Sequence, residues 1–163
     1  MEDIWAPWRM EYIERGESDE GCFLCDARDS SDDRGHLVLD RRAEAFLIMN
    51  RYPYTNAHLM AVPNRHVADL ESLTPNEIAE LMRLVQDSVG ILKGAVAAQG
   101  FNVGINLGRV AGAGVADHLH IHIVPRWLGD TNFMPVCSDF KVISEHIVAT
   151  YDRLKPYFEK CAG

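Results

Sequence analysis

The sequence predicts an α+β domain in which an antiparallel sheet packs against one long helix. Two observations predict this class. Several short apolar runs have the length and the turn-residue borders of strands, and one long segment repeats its apolar residues at helical spacing. Helical segments are also expected near both ends of the chain, so that one sheet and a few helices share a single core.

Strands are predicted wherever short apolar or alternating runs lie between turn residues. The five predicted strands are residues 36–40, 45–50, 57–63, 101–107 and 118–124. Pro125 is expected to end the last strand, because proline lacks the N–H that a sheet ladder needs.

The long helix is predicted to begin at Pro75, with Thr74 as its N-cap and Glu77 completing a capping box. Gly100 is the predicted stop, so the helix would run to Gln99. Its apolar residues recur at helical spacing, at Ile78, Leu81, Leu84, Val85 and Val89. A second helical pattern covers residues 142–160.

The chain has 163 residues, which suits one domain with a substantial core. A polar run at residues 29–35 predicts an exposed loop, which separates an N-terminal extension (residues 1–35) from the core (36–127) and a helical C-terminal segment (128–163). The net charge of −8 argues against a broad basic surface for nucleic acid. A small anionic substrate remains compatible with this charge.

The first residues lack the basic start and apolar run of a secretory signal, and no stretch approaches the roughly 18 apolar residues of a membrane span. We therefore expect the protein in the cytoplasm. The chain has four cysteines, and a reducing compartment does not favour a disulfide framework for them.

The most informative motif is the triplet His118, His120 and His122 in the last predicted strand. Side chains alternate across a strand, so all three imidazoles should share one face. Such a face makes a poor core, because each buried ring nitrogen needs a partner. Three interpretations fit: a solvated histidine-rich face, a metal site, or nucleophilic catalysis by a neutral imidazole.

A glycine-rich loop, residues 108–114, lies just before this triplet. Glycines let backbone N–H groups face an anion, although such a loop alone also fits a plain hairpin connection. It matches neither the Walker A pattern nor the dinucleotide-binding glycine pattern. Its position could bring phosphate oxygens beside the imidazoles, which favours the catalytic interpretation.

Cys22 and Cys25 form a Cys-x-x-Cys pair. Alone, the pair is half of a zinc site, and it also fits a redox pair or two buried thiols. A thioredoxin-like role would need a βαβ context that the predicted elements lack. Zinc would need two further ligands, for which His66 and His118 are the candidates.

The segment His118-Leu-His-Ile-His-Ile-Val124 matches the defining motif of the histidine triad (HIT) superfamily, in which histidines alternate with apolar residues. Asn50 at the end of one strand and His58 at the start of the next are similar to that superfamily. Residues 5–12, 102–108 and 124–127 resemble its bacterial diadenosine tetraphosphate phosphorylase branch. The resemblance covers nearly the whole chain, and it implies a HIT-like fold and at least a homodimer.

By position, the resemblance implies that His120 is the nucleophile and forms a covalent nucleotidyl-histidine. His122 would contact the phosphate and help to handle the leaving-group proton, and His58 would support the triad from the adjacent strand. Asn50 would bind the ribose.

The resemblance also implies a set of phosphate-site residues, namely Asn106, the backbone of Ala113 and Gly114, and Trp127. The chain departs from the family at Gly114, where relatives have Gln or Ser, so one side-chain phosphate contact is missing. Superfamily members that share the Cys pair, including galactose-1-phosphate uridylyltransferases, have a structural Cys2His2 zinc site. This implies a structural zinc ion at Cys22, Cys25, His66 and His118, and no organic cofactor.

These features predict an enzyme that cleaves dinucleoside polyphosphates such as diadenosine tetraphosphate, with phosphate as acceptor and ADP plus ATP as products. A HIT hydrolase or a nucleoside phosphoramidase that releases AMP is the alternative within the same class. A nucleotide-binding module without turnover and a metal-binding structural protein are the alternatives in other classes. The expected partners are a small nucleotide and further copies of the chain, and neither nucleic acid nor a membrane.

Overall fold

The computed structural model describes residues 21–115, 117–130 and 145–161. Within these ranges, five strands form one antiparallel sheet with the order β1-β2-β3-β5-β4. Their bounds are β1 Val38–Arg41, β2 Ala45–Met49, β3 Leu59–Pro63, β4 Gly100–Ile105 and β5 Ile121–Arg126. The predicted class, an α+β fold with an antiparallel sheet, is confirmed. The motif at residues 5–12 lies outside the described ranges.

Four α-helices accompany the sheet in the same part of the chain. They are α1 Phe23–Asp29, α2 Asp33–His36, α3 Pro75–Ala95 and α4 Ile147–Cys161. The long helix α3 packs on β2, β3 and β5, whereas α4 packs on β1. Helices therefore lie towards both ends of the chain, as predicted. No helix in the described ranges has the length and apolar content that crossing a membrane requires.

The core lies between the sheet and α3. Strands β2 and β3 are buried along their whole length, which fits their continuous apolar sequences. The largest fully buried apolar side chains come from the sheet, α1, α3 and α4, and are Leu24, Leu39, Phe46, Leu47, Leu59, Leu81, Leu84, Leu92, Ile123, Leu154 and Phe158. Ile78, which the helical periodicity placed with the core residues, is instead 46% exposed.

The capping box of α3 is confirmed. Thr74 Oγ1 accepts the Glu77 N–H at 3.2 Å, and Glu77 Oε2 accepts the Thr74 N–H at 2.7 Å. Both groups would otherwise be unpaired donors at the start of the helix. The helix therefore begins where the sequence predicts.

The predicted end of α3 at Gln99 is wrong. The helix ends at Ala95, and Ala97 then adopts a left-handed conformation with φ of 51°. The Gln99 N–H donates to the Arg126 carbonyl at 2.9 Å, and β4 begins at Gly100. Pairing with β5 thus takes residues that local propensity alone would leave in the helix.

The prediction that Pro125 ends the last strand is also wrong, because β5 runs from Ile121 to Arg126. Pro125 pairs opposite Phe101 of β4. The register with β3 covers only Ala61↔Ile121 to Leu59↔Ile123. Pro125 therefore lies beyond the end of the β3 ladder, where its missing N–H removes no bond to that strand.

Candidate active site and metal centre

The three histidines of the triplet are all buried, but they divide between two clusters. The rings of His120 and His122 lie 4.8 Å apart, centroid to centroid. The ring of His118 lies 4.8 Å from that of His66 instead. The predicted strand start at residue 118 is wrong, because β5 begins at Ile121; His118 and His120 therefore precede the strand, and His122 lies in it.

His120 has its tautomer fixed by the backbone. Its Nδ1 lies 2.9 Å from the His118 carbonyl oxygen, which can only accept, so Nδ1 must carry the proton. In the neutral ring, Nε2 then holds a lone pair. Burial lowers the pKa of His120, opposed in part by that same hydrogen bond, so the neutral form prevails at pH 7. The result is an imidazole with one nitrogen available to attack.

A relay of hydrogen bonds sets the tautomer of His122. The Tyr54 backbone N–H donates to His58 Nδ1 at 3.1 Å, so the His58 proton must be on Nε2. His58 Nε2 lies 3.0 Å from His122 Nδ1 and donates to it. His122 must then carry its own proton on Nε2. The relay makes His122 a neutral hydrogen-bond donor.

The His122 Nε2 atom lies 3.4 Å from the side-chain amide of Asn106. The Asn106 amide can turn its oxygen towards the His122 Nε2–H and accept a hydrogen bond from it. A substrate oxygen can then take the place of the Asn106 oxygen as the acceptor. Burial, followed by the proximity of His120, lowers the pKa of His122 to about 4. His122 is therefore uncharged over the physiological pH range.

Asn50 and His58 hold the turn between β2 and β3. The Asn50 Oδ1 atom accepts the Tyr52 N–H at 2.9 Å, and its Nδ2 lies 3.3 Å from His58 Nδ1. The Tyr54 ring leans on the rings of His58 and His122, with centroids 4.6 Å and 5.6 Å away. The predicted ribose ligand and the supporting histidine therefore lie together beside the histidine pair.

The glycine-rich loop leaves the sheet next to His122, because Gly104 of β4 pairs with His122 and Asn106 contacts its ring. The loop contains a short 3₁₀ turn, and the Ala113 N–H donates to the Gly108 carbonyl at 3.3 Å. In this arrangement the Ala113 N–H already has a partner within the loop, and Gly114 is exposed. The phosphate-binding roles of both backbone groups remain predictions.

Trp127 is placed away from the histidine pair. It follows the end of β5, and five residues of extended strand separate it from His122 by about 16 Å. Its indole N–H donates to the Val96 carbonyl at 3.0 Å. The residues lining a neighbouring cavity of about 340 Å³ include Asn56, Trp127 and Arg153. The structure therefore does not bring Trp127 to the other predicted phosphate-site residues within one chain.

The second cluster contains the four predicted metal ligands. One ligand atom from each of Cys22, Cys25, His66 and His118 lies within 4.8 Å of every other. His118 Nδ1 lies 3.3 Å from Cys22 Sγ and 3.6 Å from Cys25 Sγ, and His66 Nδ1 lies 3.3 Å from Cys25 Sγ. Tetrahedral zinc with ordinary bond lengths gives S···N edges of about 3.6 Å. The donor set and its spacing fit a tetrahedral metal ion.

His118 presents the correct nitrogen to this cluster. Its Nε2 donates to the Pro63 carbonyl oxygen at 2.9 Å, so the lone pair is on Nδ1, which faces the two sulfurs. A metal-binding histidine characteristically donates its other N–H to such an acceptor. The His118 carbonyl also accepts from His120, so one residue connects the two clusters.

Comparison with known proteins identifies the family of this chain. The family model described as the HIT domain matches residues 35–127. The chain belongs to the HIT family. An AP-4-A phosphorylase of Mycobacterium tuberculosis is 40% identical over 153 residues, which cover 89% of this chain and 78% of that protein.

Two further HIT relatives extend the comparison. The asymmetrical bis(5'-nucleosyl)-tetraphosphatase of Schizosaccharomyces pombe is 32% identical over 96 residues, covering 59% of this chain and 52% of that protein. The crystal structure of a hypothetical histidine triad nucleotide-binding protein from Sulfolobus tokodaii superposes with a TM-score of 0.66 and 27% identity. That match covers 85% of this chain and 90% of the other.

Sequence reasoning missed the backbone groups that set the histidine tautomers in this HIT chain. The Tyr54 N–H and the Pro63 carbonyl are main-chain atoms, and a residue pattern does not report where they point. Tyr54 lay in a segment predicted only as a turn. No residue pattern singles out its N–H, four residues before His58, as the donor to that ring.

Proposed function

We propose that this HIT protein is an enzyme that transfers a nucleotidyl group through a covalent nucleotidyl-histidine on His120. The observation that carries the proposal is the fixed tautomer of His120, whose Nδ1–H donates to the His118 carbonyl and leaves a lone pair on Nε2. Burial lowers the pKa of His120 and keeps that lone pair unprotonated at neutral pH. An activated nitrogen nucleophile of this kind suits covalent catalysis.

In the first step, His120 Nε2 attacks the α-phosphorus of a dinucleoside polyphosphate. A P–N bond forms while the P–O bond to the departing polyphosphate breaks, so diadenosine tetraphosphate releases ATP. The Nε2–H of His122 donates a hydrogen bond to the oxygen on which negative charge develops. The bond from His120 Nδ1–H to the His118 carbonyl stabilises the positive charge that the modified imidazole acquires.

In the second step, inorganic phosphate attacks the same phosphorus. A new P–O bond forms, the P–N bond breaks, and ADP leaves with His120 restored to its neutral form. The acceptor is an anion approaching an anionic adenylyl group, so donors near His122 must offset their repulsion. The 40% identity to the M. tuberculosis AP-4-A phosphorylase supports phosphate as the acceptor.

Product analysis tests this proposal. With diadenosine tetraphosphate, phosphorolysis gives ADP plus ATP and requires added phosphate. Hydrolysis gives AMP plus ATP without it, and the S. pombe tetraphosphatase makes a hydrolase the second candidate. If AMP dominates at saturating phosphate, the acceptor is water and the histidine mechanism stands. Binding of nucleotide without any turnover would instead favour a nucleotide-binding module.

We also propose that Cys22, Cys25, His66 and His118 bind one zinc ion with a structural role. The S···N spacings and the His118 tautomer support this assignment. A bound zinc ion would neutralise the two thiolates and tie the N-terminal extension to the sheet. With His118 committed to the metal, His120 and His122 remain for chemistry.

A homodimer is the assembly we propose, in a reducing cytoplasm that keeps the cysteines as thiols. The edge strand β4 and the segment after it expose Val103 and Leu107, each 46% accessible. On α3, Ile78 and Met82 are 46% and 48% exposed. Within the described residues β4 pairs with β5 on one side alone, and such an edge with apolar side chains favours association with a second copy. Light scattering at several protein concentrations measures the mass directly.

A further inference from the structure

The two segments that carry Cys22, Cys25 and His66, the three metal ligands that are at least partly exposed, have little structure of their own. Cys22 is the N-cap of α1 and Cys25 lies in its first turn, but α1 has only seven residues. Helices this short are not stable in isolation. His66 is exposed and follows β3 outside any helix or strand. Other contacts must therefore hold these ligands near each other.

Apart from the contact between the ligands Cys25 and His66 themselves, Arg28 makes a hydrogen bond that joins these two segments. It lies three residues after Cys25 on α1, and its Nη1 donates to the Asn64 carbonyl at 2.6 Å, two residues before His66. Its Nε and Nη2 atoms donate to both carboxylate oxygens of Asp29, each at 2.7 Å. The two bonds to the Asp29 carboxylate fix the plane of the guanidinium, so that the third donor, Nη1, is directed at the Asn64 carbonyl.

The acceptor of Arg28 is itself held in place. The Asn64 side-chain amide donates to the carbonyls of Arg42 and Ala43 at 3.0 Å and 2.9 Å, and its backbone N–H donates to the Glu44 carbonyl at 2.9 Å. On the other side, Arg65 forms a two-bond ion pair with Glu77 at 2.8–2.9 Å. Residues 64 and 65 are therefore fixed on the body of the domain, and His66 follows directly.

The other end of α1 is anchored separately by Arg41 of β1. Its guanidinium donates to the carbonyls of Ala27, Arg28 and Ser30 at 2.6–2.9 Å, which are acceptors that a helix end leaves unpaired. Arg41 attaches α1 to the sheet, but it does not touch the His66 segment in these contacts. Arg28 makes that link.

We propose that Arg28 is a positioning residue of the metal centre, and this rests on the zinc site proposed above. By bridging α1 to residue 64, Arg28 holds Cys25 at bonding distance from His66 before the ion binds. The ligands are then arranged before the ion binds, so metal binding costs less conformational entropy.

Zinc affinity measured by competition with a chromophoric chelator tests this role on the full-length chain. Arg28→Met keeps the approximate length of the side chain and removes its donors, and we expect zinc affinity to fall by about tenfold, the lower end of the effect seen when a residue that orients metal ligands is lost. Arg28→Lys has one donor centre and no planar guanidinium. Its zinc affinity should lie between that of the unsubstituted chain and that of Arg28→Met. The rise in melting temperature on adding zinc should shrink in the same order.

Arg34→Met is the matched control. Arg34 of α2 also forms a two-bond ion pair, with Asp152 of α4 at 2.8–2.9 Å, and neither partner belongs to the two segments that carry Cys22, Cys25 and His66. Its substitution should leave zinc affinity unchanged. Should Arg28→Met fail to fold, Arg28→Lys is the variant compared with the control.

Three outcomes would overturn the proposal. If Arg28→Met binds zinc within about twofold of the affinity of the unsubstituted chain, Arg28 does not position the ligands, and the metal site itself stands. An equal loss in Arg34→Met shows a general effect of losing an ion pair. Absence of zinc binding in the unsubstituted chain overturns the metal site itself, and with it this role.

Discussion

His58 Nε2 lies 3.0 Å from His122 Nδ1, and this contact determines which nitrogen of His122 carries its proton. The proton position on His58 is in turn set by the Tyr54 backbone N–H, 3.1 Å from His58 Nδ1. The Tyr54 N–H, which acts on His122 through the His58 ring, thus decides that His122 Nε2 carries a proton and donates rather than accepts a hydrogen bond. The relay is built from buried rings, and its hydrogen bonds are electrostatically stronger in this low-dielectric interior than they would be in water.

Replacing His58 should impair catalysis more than binding. In His58→Ala the His122 ring loses the donor that fixes its tautomer, and we expect kcat to fall about 100-fold with a small change in KM. His58→Gln, whose amide N–H can still donate, should recover part of the loss. Steady-state kinetics on diadenosine tetraphosphate measure both constants. A raised KM with unchanged kcat would show that His58 acts in binding instead.

His120→Ala should abolish the covalent step. We expect turnover to fall at least about a thousandfold, as for loss of other catalytic nucleophiles, while nucleotide binding survives. Denaturation at alkaline pH, where the P–N bond of a nucleotidyl-histidine survives although acid hydrolyses it, should trap label from adenylate-labelled substrate on the unsubstituted chain and none on the variant. His36→Ala, at the end of α2, is the control and should keep its activity. Near-native turnover in His120→Ala would refute the nucleophile assignment.

The stability of the fold should depend on His122 between about pH 4 and 6.5. The pKa of His122 is lowered from 6.5 to about 4 in the folded chain, so within this window the unfolded chain binds more protons. The free energy of unfolding should therefore decrease as the pH falls from 6.5 towards 4. Urea unfolding at several pH values measures it, and His122→Gln should flatten that part of the curve. An unchanged slope in the variant would contradict the shift.

Glu77 supplies an internal comparison for the same titration. Hydrogen bonds from Arg65 lower the pKa of Glu77 from 4.5 to about 2, despite the opposing effect of burial. Its contribution to stability is complete above pH 4.5 and is lost as the pH falls from 4.5 to 2. Glu77→Gln should lower the free energy of unfolding by a constant amount above pH 4.5 and change its slope only between pH 4.5 and 2, which separates its effect from that of His122.

Removal of the metal should destabilise the fold more than it slows the folded enzyme. Metal analysis should find one zinc ion per chain, and Cys22→Ser should lower the melting temperature by about 5–10 °C because a metal ligand is lost. Dialysis of the unsubstituted chain against a strong chelator should produce a similar shift. Two zinc ions per chain would implicate the catalytic histidines, and none would exclude the site.

Ala97→Gly should stabilise the protein. Ala97 is exposed and has φ of 51°, a conformation in which a Cβ atom is unfavourable and glycine is not. We expect the free energy of unfolding in urea to rise by about 0.5–1 kcal/mol. This is the net gain, because glycine also makes the unfolded chain more flexible, which opposes it. Ala79→Gly, on an exposed turn inside α3, should lose about as much. The same sign for both variants would refute the explanation.

The sequence predicted the elements of this fold better than their ends. The start of α3 is local, because Thr74 and Glu77 satisfy each other's backbone groups within one turn. Its end is not local, since the pairing of Gln99 with Arg126 depends on a strand that is distant in sequence. The same reason explains Pro125, whose place in β5 depends on where β3 stops.

For the site, the residue types were predictable and their proton positions were not. The alternation of His118, His120 and His122 indicated a functional strand, and the Cys pair indicated a metal. The alternation alone placed three imidazoles on one face, whereas the Cys pair and the family resemblance assigned His118 to the cysteines; in the structure His118 contacts the cysteines and the rings of His120 and His122 lie together. Main-chain acceptors such as the Pro63 and His118 carbonyls make this division, and a sequence does not display them.

The span of the metal centre has a consequence for how the protein is made. Cys22 and His118 lie 96 positions apart, so the ligand set is incomplete until most of the chain has been synthesised. At roughly 5–20 residues per second, several seconds of translation separate the first ligand from the last. During that interval the proposed zinc ion cannot have all four of its ligands, so the two thiols of the nascent chain would depend on reducing surroundings until His118 emerges.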